Sequence, residues 1–135
     1  MDIGKTLFMI LQNMKKFVMK NLSGELTFLG FKCLKIAYYK SPVTQKEIIE
    51  ETGLSKGTVS KALRRLEKKR LITRRRVGRK YQIELTDEGM AVMKKFEKIA
   101  SEINKILLKD FSEEEMKNLK NLLERMLKNI EQVVK

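Results

Sequence analysis

LSKGTVSKALRRLEKKRLITRRRVGRK, residues 54–80, carries most of the chain's excess charge and the change of pattern that decides its fold. Residues 56–80 contain twelve Lys or Arg and a single acid, Glu67, a local balance of +11 in a 135-residue chain whose total is +13. Charge serving solubility alone would be spread over the surface, so a focus this tight predicts a polyanionic partner. The first half of the stretch has helical spacing. Val59, Ala62, Leu63 and Leu66 fall on one inward face, and Thr58, Ser60, Lys61, Arg64, Arg65 and Lys68 project from the others. Beyond Lys69 the pattern changes. Leu71-Ile72-Thr73 and residues 81–85, YQIEL, read as two short strands, with Arg74, Arg75 and Arg76 between them and Gly78 permitting a primed hairpin turn. An arginine-bearing hairpin directly after a basic helix predicts a wing.

Working outward, Thr44 and Glu47 form a Thr-x-x-Glu capping box opening a helix whose buried face is Ile48 and Ile49. Gly53 sits where a left-handed turn is needed, Leu54 is expected to tuck inward, and Ser55 to cap the basic helix, which runs to about Lys69. Upstream, a helix from Phe28 to Tyr39 has Leu29, Cys33, Leu34, Ile36 and Ala37 as core contacts and stops at Ser41-Pro42. Before it, Ile3, Leu7, Ile10, Leu11, Met14, Phe17 and Val18 paint one stripe on a first helix, ended by turn residues Asn21-Leu22-Ser23-Gly24. Downstream, Thr86 caps a long helix carrying Met90, Met93, Phe96, Ala100, Ile103, Ile106 and Leu107. Ser112 and Glu115 box the start of the last helix, with Leu119, Leu122, Leu123, Met126, Leu127, Ile130, Val133 and Val134 on its broad apolar face. The expected fold is mainly α, a winged helix-turn-helix with a two-stranded β wing over residues 26–86, flanked by helical regions at 1–22 and 87–135. The outer stripes require a partner.

Several function classes drop out. With one proline, seven glycines and 42% hydrophobic residues, the chain can bury a real core and is not expected to be disordered. Cys33 is alone, so no intramolecular disulfide can form and a reducing cytoplasm is the expected compartment. The absence of histidine removes the commonest general base and the commonest transition-metal ligand. Glu47, Glu50 and Glu51, like the acids at 113–115, stand at helix starts, where the dipole accounts for them. No phosphate-binding glycine loop, nucleophile elbow or metal-ligand set is present, so neither enzymatic activity nor a cofactor is expected. The N-terminal stretch does not read as a signal peptide, and no window is apolar enough to span a membrane.

The basic helix fits the width of the DNA major groove. Lys56 and Gly57 occupy its first turn, where free amides and a missing side chain allow close approach, while Thr58, Ser60, Lys61, Arg64 and Arg65 supply donors for bases or phosphates. In the wing, Arg75, Arg76 and Arg79 are placed to cross a phosphate ridge, with Thr44, Arg74 and Lys80 completing the backbone-contacting set.

From Leu26 onward, LTFLGFKCLKIAYYKSPVTQKEIIEETGLSKGTVSKALRRLEKKRLITR, followed by YQIELTDEG, resembles the winged helix-turn-helix of the multiple antibiotic resistance regulator (MarR) family. The most specific parts are Leu26-Thr27, residues 44–48 with Gly53-Leu54-Ser55, Thr58-Val59-Ser60, Arg65-Leu66-Glu67 with Leu71-Ile72, and Leu85-Thr86-x-Glu88-Gly89. The resemblance implies a homodimeric transcription regulator, a repressor on a pseudo-palindromic duplex, dimerised through residues 1–22 and 87–135. It also implies major-groove contacts from Lys56, Thr58, Ser60, Lys61 and Arg65, and wing contacts from Arg75, Arg76 and Arg79. The chain departs from the family in lacking the acid of the wing's Asp-x-Arg motif and in its shorter tip, which points to looser phosphate contact. Phe8, Phe28, Tyr38 and Tyr39 are the candidates to line a cavity for a small aromatic effector, with plain core packing as the competing role. Some regulators of the family sense oxidants through cysteine, but Cys33 reads as a buried, inert thiol. Two other classes compete: a sequence-independent architectural or chromatin protein, and a module whose basic face meets an acidic protein.

Overall fold

The computed structural model describes residues 2–22 and 26–135, so Ser23 and Gly24 of the expected first turn lie outside the described residues. The elements run α1 (Ile3–Asn21), α2 (Phe28–Tyr39), β1 (Val43–Thr44), α3 (Gln45–Thr52), α4 (Lys56–Lys68), β2 (Ile72–Val77), β3 (Lys80–Leu85), α5 (Asp87–Leu107) and α6 (Glu113–Val134). The chain packs as two compact units, residues 1–100 and 101–135.

In the first unit each helix starts where a side chain satisfies a free amide. Thr27 Oγ1 accepts from the Gly30 amide at 3.0 Å, Ser55 Oγ from Thr58 at 3.2 Å, and Thr44 with Glu47 forms the full capping box. Gly53 takes a φ of 68° and turns α3 into α4. The core joins α2 to α4 and β3, and α3 to α4 and β3. It is built from Phe31, Leu34, Ile48, Val59, Leu63, Leu66, Ile72 and Ile83, all buried. The inward face expected of the basic helix is thus the face that packs. Leu54 and Met90, expected inside, are exposed, and Leu29 and Ile49 are half-buried.

The sheet differs most from expectation. It has three strands, ordered β1-β3-β2, because Val43 and Thr44 pair antiparallel with Ile83 and Gln82. The hairpin is also longer. Arg74, Arg75 and Arg76 lie within β2, paired with Ile83, Gln82 and Tyr81, and Val77 pairs with Lys80, leaving Gly78 (φ 65°) and Arg79 as the turn. Arginine has little strand preference of its own, but ladder hydrogen bonds to a β-rich partner strand override it.

Helix α4 ends in a Schellman arrangement. The Arg70 amide donates to Glu67 O at 2.9 Å and the Leu71 amide to Leu66 O at 3.0 Å, with Arg70 at φ 61° in the position glycine usually fills. The chain then returns to the start of α5. Thr86 donates its hydroxyl proton to Arg70 O at 2.6 Å and accepts from the Gly89 amide at 3.0 Å. A Cβ on Gly89 would lie 2.1 Å from the Leu71 carbonyl oxygen. That carbonyl is backbone and cannot swing aside, so Gly89→Ala is expected to cost about 3 kcal/mol by overpacking, read as a lowered denaturant midpoint. A change below about 1 kcal/mol would show that this approach is not tight.

The second unit contains the end of α5, a turn with Asp110 at φ 66°, and α6, whose Ser112–Glu115 capping box is complete. No residue of α6 is buried. Leu127 and Ile130 are 55% and 59% exposed, although the helix is strongly amphipathic. In the first unit the α1 stripe is likewise open apart from Val18 and the half-buried Met14 and Phe17, and Phe8 is 76% exposed.

Candidate nucleic-acid interface

With Val59, Ala62, Leu63 and Leu66 buried, the roughly 100° step of a helix places Gly57, Lys61, Arg64 and Lys68 on the opposite side. Thr58 and Arg65 form one flank of that face, and Lys56 and Ser60 the other. All are exposed except the half-buried Ser60. A Cβ on Gly57 would meet nothing within 4 Å, so the first turn is open to an approaching backbone. The Thr58 hydroxyl lies 2.8 Å from Ser55 Oγ, which ties it to the cap.

A groove of about 280 Å³ runs between the start of α2 and α4, lined by Leu26, Thr27, Gly30, Ala62, Arg65, Leu66, Lys68 and Lys69. A second, of about 290 Å³, shares Thr27, Ala62 and Arg65 and continues past Thr58 and Lys61. The amide end of α2 therefore opens beside the Arg65 flank, so Thr27 borders the basic face. In the sequence Leu26-Thr27 stands out only among the residues that carry the family resemblance. Its position next to Arg65 depends on α2–α4 packing, which no local pattern encodes.

Strand alternation divides the wing arginines. Arg74 and Arg76 share a face with Tyr81, their guanidinium carbons 5.5 and 6.0 Å from its ring centroid. Arg75 lies on the other face, with Nη2 3.5 Å from Glu84 Oε1. That pair is solvent-exposed and contributes little, so a phosphate can displace the carboxylate. Arg76 donates to Gly78 O at 3.2 Å, close to the turn. Lys56, Lys61, Arg64, Arg65, Arg79 and Lys80 have no ion-pair partner among the described residues. Arg74 stands apart, since its Nε donates to Glu67 Oε1 at 3.0 Å and its Nη1 to Gln45 Oε1 at 3.2 Å. Thr44 is also occupied, its hydroxyl exchanging hydrogen bonds with Glu47.

The four aromatic candidates for an effector site fall into different settings. Tyr38 and Tyr39 meet edge to face at 4.9 Å, and Tyr38 donates to Glu97 Oε1 at 2.7 Å, which raises its pKa above the ordinary phenol value. Phe28 lies under Lys15 Nζ at 3.8 Å, and Phe8 is open to solvent. Cys33 is buried, and burial pushes its thiol up to about 11 against a weaker opposing pull from Lys32. Thiolate is therefore scarce at neutral pH, which agrees with an inert role. Among the described residues no cluster of three or more His, Cys, Asp or Glu is disposed to hold a metal, and no helix is long and apolar enough to cross a membrane.

Comparison with known proteins gives a consistent picture. A family model described as MarR family matches residues 37–80. The HTH-type transcriptional regulator MgrA of Staphylococcus aureus is 31% identical over 105 residues, covering 76% of this chain and 70% of that protein. A 51-residue stretch is 39% identical to part of the uncharacterized protein MJ1254 of Methanocaldococcus jannaschii, spanning only 11% of its length. Among solved structures, a MarR transcriptional regulator from Methanosarcina mazei Go1 superposes with a TM-score of 0.83 at 25% identity, over 98% of this chain and 91% of that one. A mutant of S. aureus MepR bound to an oligodeoxyribonucleotide superposes with a TM-score of 0.69 at 29% identity, over 96% and 99%.

Proposed function

The chain belongs to the MarR family of DNA-binding transcription regulators and is not an enzyme, and from that premise we propose that it is a homodimeric repressor that reads a pseudo-palindromic duplex. The observation that carries this reading is the division of α4. Four apolar residues lock one face into the core, so the opposite face, with Lys61 and Arg64 and the flanking Arg65, is held at a fixed angle. Two such helices about 34 Å apart would enter successive major grooves on one side of a duplex. Dimerisation through α1 and α6 is supported by their open apolar stripes, which a monomer would leave in water. Repression follows from occupancy of a duplex that transcription must use.

The two basic devices have different tasks. Arg64 and Arg65 can donate in pairs to guanine edges, whereas the hairpin cations near Gly78 grip phosphate. Selection of duplexes from a random pool by the wild-type chain, followed by affinity measurements on selected and unselected sequences, tests this. Arg64→Ala and Arg65→Ala should each reduce the preference for the selected duplex by about 1–3 kcal/mol per lost base contact. Arg79→Ala should weaken both duplexes alike. Equal affinity of the wild type for both would instead select an architectural, sequence-independent role.

A further inference from the structure

Arg74 joins three elements that must act together on a duplex. Its Nε donates to Glu67 on α4 at 3.0 Å, its Nη1 donates to Gln45 on α3 at 3.2 Å, and its guanidinium packs against Tyr81 on β3. Its side chain is 17% exposed, against 67% for its neighbour Arg75. Glu67 is also the only acid among residues 56–80. A carboxylate there opposes the attraction of a polyanion, and its pairing with Arg74 withdraws one cation as well. The segment thus gives up attraction for DNA in exchange for a fixed joint.

The joint lies where it can control the hairpin. Ile83, the partner of Arg74 across the ladder, and Ile72 below the joint are buried in the core. Beyond it, β2 and β3 from Arg75 to Gln82 carry no buried residue. The short strand β1 reaches β3 only at Gln82 and Ile83, so the hairpin beyond them is a two-stranded ribbon anchored only at its base, which pivots unless something braces it. The planar guanidinium can serve acceptors on two helices at once, which a lysine ammonium on a flexible stem does much less well.

We propose that Arg74 is a positioning residue that, through Glu67 and Gln45, holds the wing at a fixed angle to the helix-turn-helix and does not itself contact DNA. The proposal rests on the duplex-binding reading above for its consequence but not for its mechanics. With the brace intact, a molecule docked by α4 presents Arg75 and Arg79 to phosphate at high effective concentration. Without it, those side chains must be ordered anew at each binding event.

The test uses the full chain with Arg74→Ala, Arg74→Lys, Glu67→Ala and the Glu67→Ala/Arg74→Ala double variant. Two quantities are measured: affinity for the duplex selected by the wild type at several salt concentrations, and amide hydrogen exchange of the free protein. Arg74→Ala, Glu67→Ala and the double variant should weaken binding by a similar factor, roughly tenfold, because the pair acts as a unit. Arg74→Lys should not restore wild-type affinity, and the salt slope should stay unchanged. Amides of β2 and β3 should exchange faster in all variants, while α2 keeps its protection and shows that the chain remains folded. The proposal is overturned if Glu67→Ala binds as tightly as wild type or tighter while Arg74→Ala lowers the salt slope by about one, the signature of a lost phosphate contact. Unchanged exchange in the hairpin overturns it as well. If the wild type binds no duplex, the functional reading fails, and hairpin exchange alone decides whether the brace exists.

Discussion

Raising monovalent salt from about 50 to about 200 mM is expected to weaken duplex binding by about 10³–10⁵-fold, the range for six to ten neutralised phosphates. The magnitude comes from where the cations stand. With Arg64 and Arg65 turned to bases, Lys56, Lys61, Arg79 and Lys80 are exposed and without an ion-pair partner among the described residues, so each can displace a condensed counterion. A dimer presents every one twice. Arg74 is left out of the count because Glu67 and Gln45 hold it, and Arg75 contributes once phosphate replaces Glu84. Fluorescence anisotropy with a labelled duplex gives the slope of log K against log salt. A fall of less than tenfold over this interval would mean that the basic segment is not the surface DNA meets. Restoring sodium chloride with an equal concentration of a bulkier monovalent salt should leave the slope largely intact, since the effect is one of charge.

Leu127→Glu combined with Ile130→Glu is expected to convert the dimer to monomer and to reduce affinity for the selected duplex by about 10²–10⁴-fold. Joining two reading helices makes the second half-site contact intramolecular, so losing the join removes that effective concentration without touching a DNA contact. Both residues are more than half exposed in the single chain, so neither substitution opens a cavity or buries a charge within it. Each would place a carboxylate in an apolar dimer contact, where an unpaired charge is strongly disfavoured. Sedimentation should show the monomer, and an unchanged far-ultraviolet dichroism spectrum should show that the fold remains. If the variant stays dimeric, the α6 stripe is not the dimer contact.

Much of the fold was legible in local pattern. The caps at Thr44, Ser55 and Ser112, the left-handed Gly53, and the inward set Val59, Ala62, Leu63 and Leu66 all depend on residues within a few positions of one another. Such features survive whatever the rest of the chain does. Leu54, by contrast, looked like a core residue because it is apolar, yet the turn after Gly53 leaves it exposed. Arg70 gave no glycine to mark a left-handed residue, although the Schellman hydrogen bonds hold it there. Three successive arginines read as a loop because their strand character comes from Tyr81, Gln82 and Ile83 across the ladder.

The sequence alone determined the charge focus, the helix that carries it and the face that helix must bury, because net charge and helical periodicity are properties of consecutive residues. Only the tertiary structure decided what each basic side chain is free to do. The third strand, the closeness of Thr27 to Arg65, and above all the removal of Arg74 from the exposed set arise from contacts between segments distant in the chain; Arg74 itself reaches Glu67 and Gln45, 7 and 29 residues away. Composition counts twelve equivalent cations in residues 56–80. Packing separates those that can meet a phosphate from the one that holds the wing in place, because a guanidinium tied to a carboxylate and an amide and largely covered is held away from DNA.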